Sequence, residues 1–188
     1  MAYEEGSNKE IFIIHNIRFK KYILRSRIET EVKKLADRIN NDYKGQKVLF
    51  IVVLKGSIFF ASDLLRNIDL DCEIETVRAS SYGSEMKNSR LRLSIENVEI
   101  SGKNIIIIED IIDTGNTLSE LMRRLKEENP KSLEVVTFLS KPDKREHDVK
   151  LKYVGMEIPP AFVIGYGLDY AEQGRHLPDI YILDEKKQ

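Results

Sequence analysis

The sequence contains little cysteine, no tryptophan and almost no net charge, and these shortages exclude several classes of protein. Cys72 is the only cysteine in 188 residues, so no disulfide can form within the chain. The 30 basic and 31 acidic side chains leave a formal net charge of −1, which gives no general attraction to nucleic acid or to an anionic membrane. An anion that binds this chain must therefore be held by a local site.

Long hydrophobic runs and metal-ligand spacings are also lacking. The apolar run at 48–54 is far shorter than a membrane span, and the amino terminus, MAYEEGSNKE, is polar and acidic, unlike a signal peptide. The histidines, His15, His147 and His176, lie far apart, and none has the spacing of zinc ligands. We interpret the chain as a protein of a reducing, aqueous compartment, with the cytoplasm as its expected location.

Three stretches have the apolar period of a helix. The first begins at a predicted capping box, Ser26–Glu29, and is expected to end near Gly45. The second runs from 57 to 65 and the third from about 117 to 127. The residues predicted to face inward are Leu24, Ile28, Val32, Leu35 and Ile39 in the first helix, Ile58, Ala61, Leu64 and Leu65 in the second, and Leu118, Leu121, Met122 and Leu125 in the third.

Strands alternate with these helices, which predicts an α/β fold with a mostly parallel twisted sheet flanked by helices. The predicted strands are Val48–Leu54, Glu73–Ala79, Ile105–Ile108, Leu133–Leu139 and Phe162–Tyr166, and a polar loop at 80–90 leads to a further strand at 90–95. The continuous apolar run of the first is typical of a strand covered on both faces. The first 25 residues and the tail from 153 do not extend the alternation. We expect one domain over 1–188, with a core at about 26–152 and a small lobe formed by 1–25 and 153–188.

The stretch 105–117 joins a buried strand to two carboxylates and a polar turn. Glu109 and Asp110 follow four isoleucines and cannot stay in the core unpaired. They are expected at the carboxyl end of the strand, where open α/β sheets bind ligands. Asp113 then opens an Asp-Thr-Gly-Asn-Thr turn whose hydroxyls, glycine and free helix amides can bind phosphate. A ribose 5-phosphate would fit both parts, with its hydroxyls near the acids and its phosphate at the turn. The alternative is a strand-to-helix turn with an ordinary acidic cap and no ligand.

This stretch resembles the phosphoribosyl-pyrophosphate motif of the type I phosphoribosyltransferases. Three further motifs, Val53–Leu64, Ser80–Gly83 and Phe162–Tyr170 with Arg175, are similar to the hypoxanthine-guanine phosphoribosyltransferase family and follow its order between about residues 10 and 183. The resemblance implies a type I phosphoribosyltransferase core with a hood lobe. It also implies purine salvage: Mg²⁺-dependent transfer of the 5-phosphoribosyl group from phosphoribosyl pyrophosphate to N9 of hypoxanthine or guanine, giving IMP or GMP and pyrophosphate.

The resemblance further implies a role for each matching residue. Glu109 and Asp110 would hold the ribose hydroxyls, directly or through metal, and Asp169 would bind the Mg²⁺ that carries pyrophosphate. Asp113 would be the catalytic acid or base at N7 of the purine. The loop expected to hold the 5-phosphate consists of Asp113, Thr114, Gly115, Asn116 and Thr117.

The remaining implied roles concern the base, the pyrophosphate and a lid. Lys141 would donate to O6 of the base, which favours 6-oxopurines because an ammonium cannot accept from the 6-amino group of adenine. Phe162 would stack on the purine, with Val163 beside it. Pyrophosphate would be held by Leu54, Lys55, Gly56 and Arg175, and the lid would carry Ser81 and Tyr82. The chain departs from the family at Gln173-Gly174, where relatives usually have a bulky residue before the arginine.

Several alternatives stay open at this point. Lys141 could be a solvated lysine, Phe162 a core residue, and the segment around Tyr82 a plain loop. The chain could instead act on xanthine, adenine or a pyrimidine, regulate RNA or DNA while binding the donor, or be a simple nucleotide-binding domain. The low net charge argues against a nucleic-acid partner, and we expect neither that nor a membrane partner. A homodimer or homotetramer is expected by analogy with relatives.

Overall fold

The chain builds two separate sheets, described here from a computed structural model for residues 10–78, 98–147 and 149–185. The elements in chain order are β1 (Ile11–Ile14), β2 (Ile17–Ile23), α1 (Arg25–Asp42), β3 (Val48–Leu54), α2 (Ile58–Leu65), β4 (Cys72–Arg78), β5 (Asn104–Ile112), α3 (Asn116–Glu127), β6 (Ser132–Ser140), a 3-10 turn (Pro142–Lys144), β7 (Tyr153–Glu157), β8 (Val163–Ile164) and β9 (Ile180–Leu183). The predicted loop at 80–90 and strand at 90–95, with Ser81 and Tyr82, lie outside the described residues.

The larger sheet is parallel and has the strand order β4-β3-β5-β6-β7. Its central strands, β3, β5 and β6, have buried apolar middle segments because both faces of the sheet are covered. Phe50 and Val52 of β3 pack in one cluster with α1 and α2, whereas Leu49 and Ile51 pack in the other with α3. The predicted parallel α/β core is therefore confirmed, and its strands end together at one edge of the sheet.

The smaller sheet is antiparallel, with the order β1-β2-β9-β8, and we call it the hood sheet. It joins the first and last described segments of the chain, which confirms the predicted small lobe. Two details of the prediction are wrong. The strand expected at Phe162–Tyr166 is reduced to Val163–Ile164 and belongs to the hood sheet. The stretch 153–157, assigned to the lobe, is β7 of the parallel sheet, because Gly155 lets it approach Phe138 too closely for any Cβ.

The start of α1 also differs from the prediction. Ser26 lies inside the helix, Leu24 is the capping residue and is exposed, and no side chain of this segment caps the helix. The carboxylate of Asp179 takes that role, accepting from the Arg25 amide at 2.8 Å and facing the Lys21 ammonium at 3.3 Å. The predicted capping box is wrong because the cap comes from Asp179, which is distant in sequence. This contact also ties the hood to the core.

The remaining helices agree with the prediction except at one position. Ile58, expected to face inward, is 51% exposed, and Phe60 is buried in its place. Phe60, Ala61 and Leu64 define the buried face of α2, and at 100° per residue Ile58 lies roughly 110° from its centre. The inward leucines of α3 are confirmed. Among the described helices, none combines the length and the apolar character that crossing a membrane requires.

Candidate active site

Two neighbouring carboxylates stand at the carboxyl end of β5. Oε2 of Glu109 is buried and has no hydrogen-bond partner among the described residues. Burial first, and the neighbouring Asp110 second, raise the pKa of Glu109 well above its usual value. Burial also raises the pKa of Asp110 to about 6, although the Ile111 amide donates to its Oδ1 at 2.8 Å and Arg175 opposes the rise. The pair is therefore short of positive charge, and a cation brought to it would be stabilised.

The turn after β5 forms a small cavity in front of α3. The cavity has a volume of about 120 Å³ and is lined by Glu109 and residues 111–118. Gly115 caps α3 in a left-handed conformation, with φ of 84°, which lets the turn reverse directly into the helix. The amides of Glu146 and His147 donate to the Thr114 carbonyl at 3.0 and 3.3 Å and hold the turn from outside. The first amides of α3 have no partner within the helix, and among the described contacts only that of Asn116 has a long one, 3.4 Å, to the Thr114 hydroxyl, so this turn can act as a cradle for an anion.

Lys141 and Asp113 form the contact that links the ends of β5 and β6. Lys141 is only 5% exposed, and its Nζ lies 3.3 Å from Oδ2 of Asp113. The Nζ of Lys144 approaches the same oxygen at 3.6 Å. The other oxygen, Oδ1, is buried and lacks a hydrogen-bond partner within the described part of the chain. Lys141 is thus not a solvated lysine, and the Asp113 side chain stays 41% exposed, so a ligand can reach its carboxylate.

The loop after β3 packs against the acid pair through a glycine. The Leu54–Lys55 peptide is cis. A Cβ on Gly56 would lie 1.8 Å from Oδ2 of Asp110, so only glycine permits this approach. A Cβ on Gly167, whose φ is 100°, would likewise lie 1.8 Å from the Gly56 carbonyl oxygen. The loops that follow β3 and β8 therefore meet close to Asp110, near the end of β5.

Arg175 and Asp169 form an ion pair beside this meeting point. Nη2 of Arg175 lies 2.7 Å from Oδ1 of Asp169, and Nη1 donates to the Gly167 carbonyl at 2.8 Å. Glu172, which sequence reasoning missed, bridges the Lys55 ammonium at 3.0 Å and the Arg175 guanidinium at 3.5 Å. The backbone of Glu172 is left-handed, with φ of 63°, in a tight turn closed by a bridge between Tyr170 and Gln173. Lys55 and Arg175 are thus held together by a carboxylate.

Phe162 presents an aromatic face from the edge of the hood sheet. Its side chain is 45% exposed, so the alternative of a core residue is wrong. Tyr170 meets the ring edge-on at a centroid distance of 5.7 Å and Phe19 lies 6.2 Å away, which fixes the ring's orientation. Val163, by contrast, is buried in the core, so only its backbone is free to meet a ligand. An exposed, oriented ring of this kind can stack on a flat heterocycle.

The structure brings most of the predicted site residues to one edge of the parallel sheet. Glu109, Asp110, the turn 113–117 and Lys141 lie together, and Gly56 and Arg175 join them through Asp110. Phe162 and Val163 lie in the hood segment, at the edge strand β8. Among the described residues no group of three or more metal-ligating side chains is found. Lys144, like Glu172, was not predicted, because only the fold brings it to Asp113.

Comparison with known proteins matches this chain to one family over most of its length. The family model for the phosphoribosyl transferase domain matches residues 22–171. The chain is 41% identical over 170 residues to a hypoxanthine phosphoribosyltransferase of Salmonella typhimurium, covering 87% of this chain and 96% of the relative. It is 42% identical over 166 residues to a hypoxanthine-guanine phosphoribosyltransferase of Bacillus subtilis, with coverages of 87% and 92%.

A solved structure extends the similarity to three dimensions. A crystal structure of a hypoxanthine-guanine phosphoribosyltransferase from Bacillus anthracis, with a HEPES molecule in its active site, matches with a TM-score of 0.82 and 41% identity. The match covers 88% of this chain and 98% of that chain. The parallel sheet and its helices are therefore shared with that protein.

Proposed function

Because this chain belongs to the phosphoribosyl transferase family, on the branch of the hypoxanthine and hypoxanthine-guanine enzymes, we propose that it salvages purines by making IMP or GMP. It would transfer the 5-phosphoribosyl group from phosphoribosyl pyrophosphate to N9 of hypoxanthine or guanine and release pyrophosphate. The observation that carries this proposal is the buried Lys141 ammonium held 3.3 Å from Asp113. That pair offers a donor for a 6-oxo group beside an acceptor for a purine N–H.

Base selection would rest on Lys141. Its ammonium has only donors, so it satisfies a 6-oxo oxygen and opposes the 6-amino group of adenine. Because the lysine is buried, an unpaired contact there is costly, and such mismatches reject analogues by about 10⁴–10⁵. The exposed ring of Phe162 would stack on the base, with the backbone of Val163 beside it.

Asp113 would move the proton. As N9 of the base forms its bond to C1 of the ribose, the bond from C1 to the pyrophosphate oxygen breaks, and its electron pair leaves with pyrophosphate. The base then carries an extra proton at N7, and the carboxylate of Asp113, whose side chain is 41% exposed, would accept it. Lys141 and Lys144 face Oδ2 of this carboxylate and would stabilise its charge before transfer. A general base of this type contributes about 10²–10⁴ to the rate.

The acid pair fits a Mg²⁺ ion brought by the donor. The unpaired Oε2 of Glu109 and the raised pKa values of both acids indicate carboxylates that lack a counter-ion. Mg²⁺ typically binds one or two carboxylates together with substrate phosphates and waters, and Asp169 would be a further ligand. When bound, the ion would neutralise charge that develops on the departing pyrophosphate. Glu109 and Asp110 would also orient the ribose hydroxyls.

The remaining charges of the donor would be held on either side of the acids. The turn of Asp113, Thr114, Gly115, Asn116 and Thr117 would hold the 5-phosphate at the start of α3. The peptide from Leu54 to Gly56 and the fork of Arg175 would hold the pyrophosphate, and Lys55 already lies in that cluster. By analogy with relatives, Ser81 and Tyr82 would belong to a lid, and the enzyme would be a cytoplasmic homodimer or homotetramer without a nucleic-acid partner.

Base selectivity of a Lys141→Met variant tests this proposal. Methionine keeps the length of the side chain and removes its donors, so the ratio of kcat/KM for hypoxanthine to that for adenine should fall at least about 100-fold. Because the ratio is taken within one variant, any damage to Asp113 cancels between the two bases. Lys150→Met, an exposed lysine on the same connection, is the matched control. An unchanged ratio in Lys141→Met would rule out the assigned role.

A further inference from the structure

A second cavity lies at the amino edge of the parallel sheet, opposite the edge that carries the acid pair. It has a volume of about 320 Å³ and is lined by residues 45–49, Glu73, residues 102–104 and Lys131. Because parallel strands begin at one edge and end at the other, this cavity is separated from Glu109 by the length of β5. None of its lining residues belongs to the site described above.

The strand register places three lysines in a row along this cavity. Val48, Asn104 and Ser132 are aligned across the neighbouring strands β3, β5 and β6. The residue before each is a lysine: Lys47, Lys103 and Lys131. Adjacent strands lie about 4.8 Å apart, so the backbones of the three lysines span only about 10 Å. Like charges on adjacent strands repel, and this row is therefore short of negative charge.

The acidic side chains nearby offset only part of that charge. Glu73 accepts from Lys103 at 2.7 Å and from Lys47 at 2.8 Å, whereas Lys131 meets only the neutral amide oxygen of Gln46, at 3.2 Å, among its described contacts. The hydrogen bonds from the two lysines lower the pKa of Glu73 to about 2, so it stays ionised at neutral pH. Asp71, which precedes β4, is the other carboxylate that acts on Lys47.

Hydrogen bonds hold the floor of the cavity, and two glycines border its open rim. The buried amide of Asn104 donates to the Lys47 carbonyl at 3.0 Å and accepts from the Ser132 hydroxyl at 3.0 Å, which fixes the floor. Gly45 and Gly102 form the rim in left-handed turns, and a Cβ on either would meet nothing within 4 Å. The cavity is thus rigid below and open above.

We propose that this lysine pocket binds a small phosphate-bearing anion, independently of the active site. Ammonium groups bind phosphate as point charges, and three in a row match a ligand that carries more than one negative charge. A volume of about 320 Å³ lies at the small end of ligand pockets, which favours a compact polyanion over a macromolecule. Pyrophosphate and ribose 5-phosphate share this chemistry and represent a free inorganic anion and a phosphorylated metabolite.

Calorimetric titration of the whole protein with each of these two probes, without metal, tests the proposal. We expect two independent binding events for at least one probe. In Lys47→Gln/Lys131→Gln, the affinity of one event should fall at least about tenfold while the other persists. Arg175→Gln should show the reverse pattern, and Glu73→Gln should tighten the pocket event because it frees two lysines. Lys33→Gln, an exposed lysine paired with Asp37, is the control for loss of surface charge and should change neither event.

The titrations of the paired lysine variant and of Lys33→Gln decide whether the pocket binds the anion. If the paired lysine variant keeps both events at unchanged affinity, or if Lys33→Gln weakens binding equally, the proposed pocket is wrong. The probe that gives the stronger pocket event identifies the class of the ligand. Turnover of hypoxanthine should be unchanged in the paired lysine variant, so a failure of the proposed enzymatic function would be seen separately in the unmodified protein.

Discussion

Replacement of Asp113 by asparagine removes the proposed base while keeping the shape of the side chain. Oδ2 of Asp113 is engaged by Lys141 at 3.3 Å and Lys144 at 3.6 Å, and an amide oxygen can still accept from both. The carboxylate, whose side chain is 41% exposed, would take the N7 proton, and an amide cannot take it. We therefore expect kcat for hypoxanthine to fall by about 10²–10⁴, equivalent to about 3–5 kcal/mol of lost transition-state stabilisation.

Binding of the donor should change much less than kcat in this variant. The proposed pyrophosphate contacts are Lys55 and Arg175, and the ion pairs described for these two residues do not involve Asp113. Steady-state kinetics with varied phosphoribosyl pyrophosphate separates the two effects. Asp143→Asn makes the same change of charge at an exposed position of the turn that carries Lys144, and it should leave kcat within about twofold. A kcat of Asp113→Asn within about threefold of the unmodified enzyme would refute the assigned role.

Three further perturbations test the structure around the site. Gly56→Ala should lower kcat/KM at least about 100-fold. The new Cβ would lie 1.8 Å from Oδ2 of Asp110, so the carboxylate would have to move. Asp179→Ala should lower the free energy of unfolding in urea by about 2–4 kcal/mol, because it removes the α1 cap and a largely buried ion pair. Hydrogen bonds from Tyr153 and from a lysine lower the pKa of Asp42, so its contribution to stability is present above its unfolded pKa near 4 and is lost as pH falls through the lower folded value. Asp42→Asn should therefore flatten the decrease in urea stability between about pH 5 and pH 2.

The substitutions at Gly56 and Asp179 each have a matched control. Gly102→Ala, where a Cβ meets open space, should cost about 1–2 kcal/mol of stability for its left-handed backbone and leave catalysis unchanged. Asp37→Ala removes an exposed ion pair and should cost less than about 1 kcal/mol. Equal effects of Gly56→Ala and Gly102→Ala on kcat/KM would contradict the packing at Asp110. If the stability of Asp42→Asn decreased with acid as steeply as that of the unmodified protein, the Tyr153 contact would be contradicted.

The parts of the fold that could be predicted are those whose cause is local in sequence. β3 is a continuous apolar run and β5 contains four consecutive isoleucines, a pattern typical of strands covered on both faces. β7 carries no such run, since its sequence is interrupted by Gly155, and its place in the sheet follows from packing against β6. The cap of α1 comes from Asp179, and no local pattern could reveal it.

The site residues also separate into those that are close in sequence and those that only the fold brings together. The acids at 109–110 and the turn at 113–117 are close in sequence, so their meeting at one end of β5 could be predicted from spacing alone. The roles of Lys141 and Arg175 needed the resemblance, because the residues that surround them come from other loops. Glu172 and Lys144 were missed, since a charged residue in a polar segment gives no signal until the fold brings it to a partner.

Purine salvage by this chain can be measured as turnover with Mg²⁺, phosphoribosyl pyrophosphate and, in parallel, hypoxanthine, guanine, xanthine and adenine. Chromatography of the products identifies each nucleotide and its rate of formation. We expect IMP or GMP from the 6-oxopurines, with pyrophosphate released in equal amount, and no detectable AMP from adenine. Formation of AMP at a comparable rate, or no nucleotide from any 6-oxopurine while the donor still binds, would contradict the proposed function.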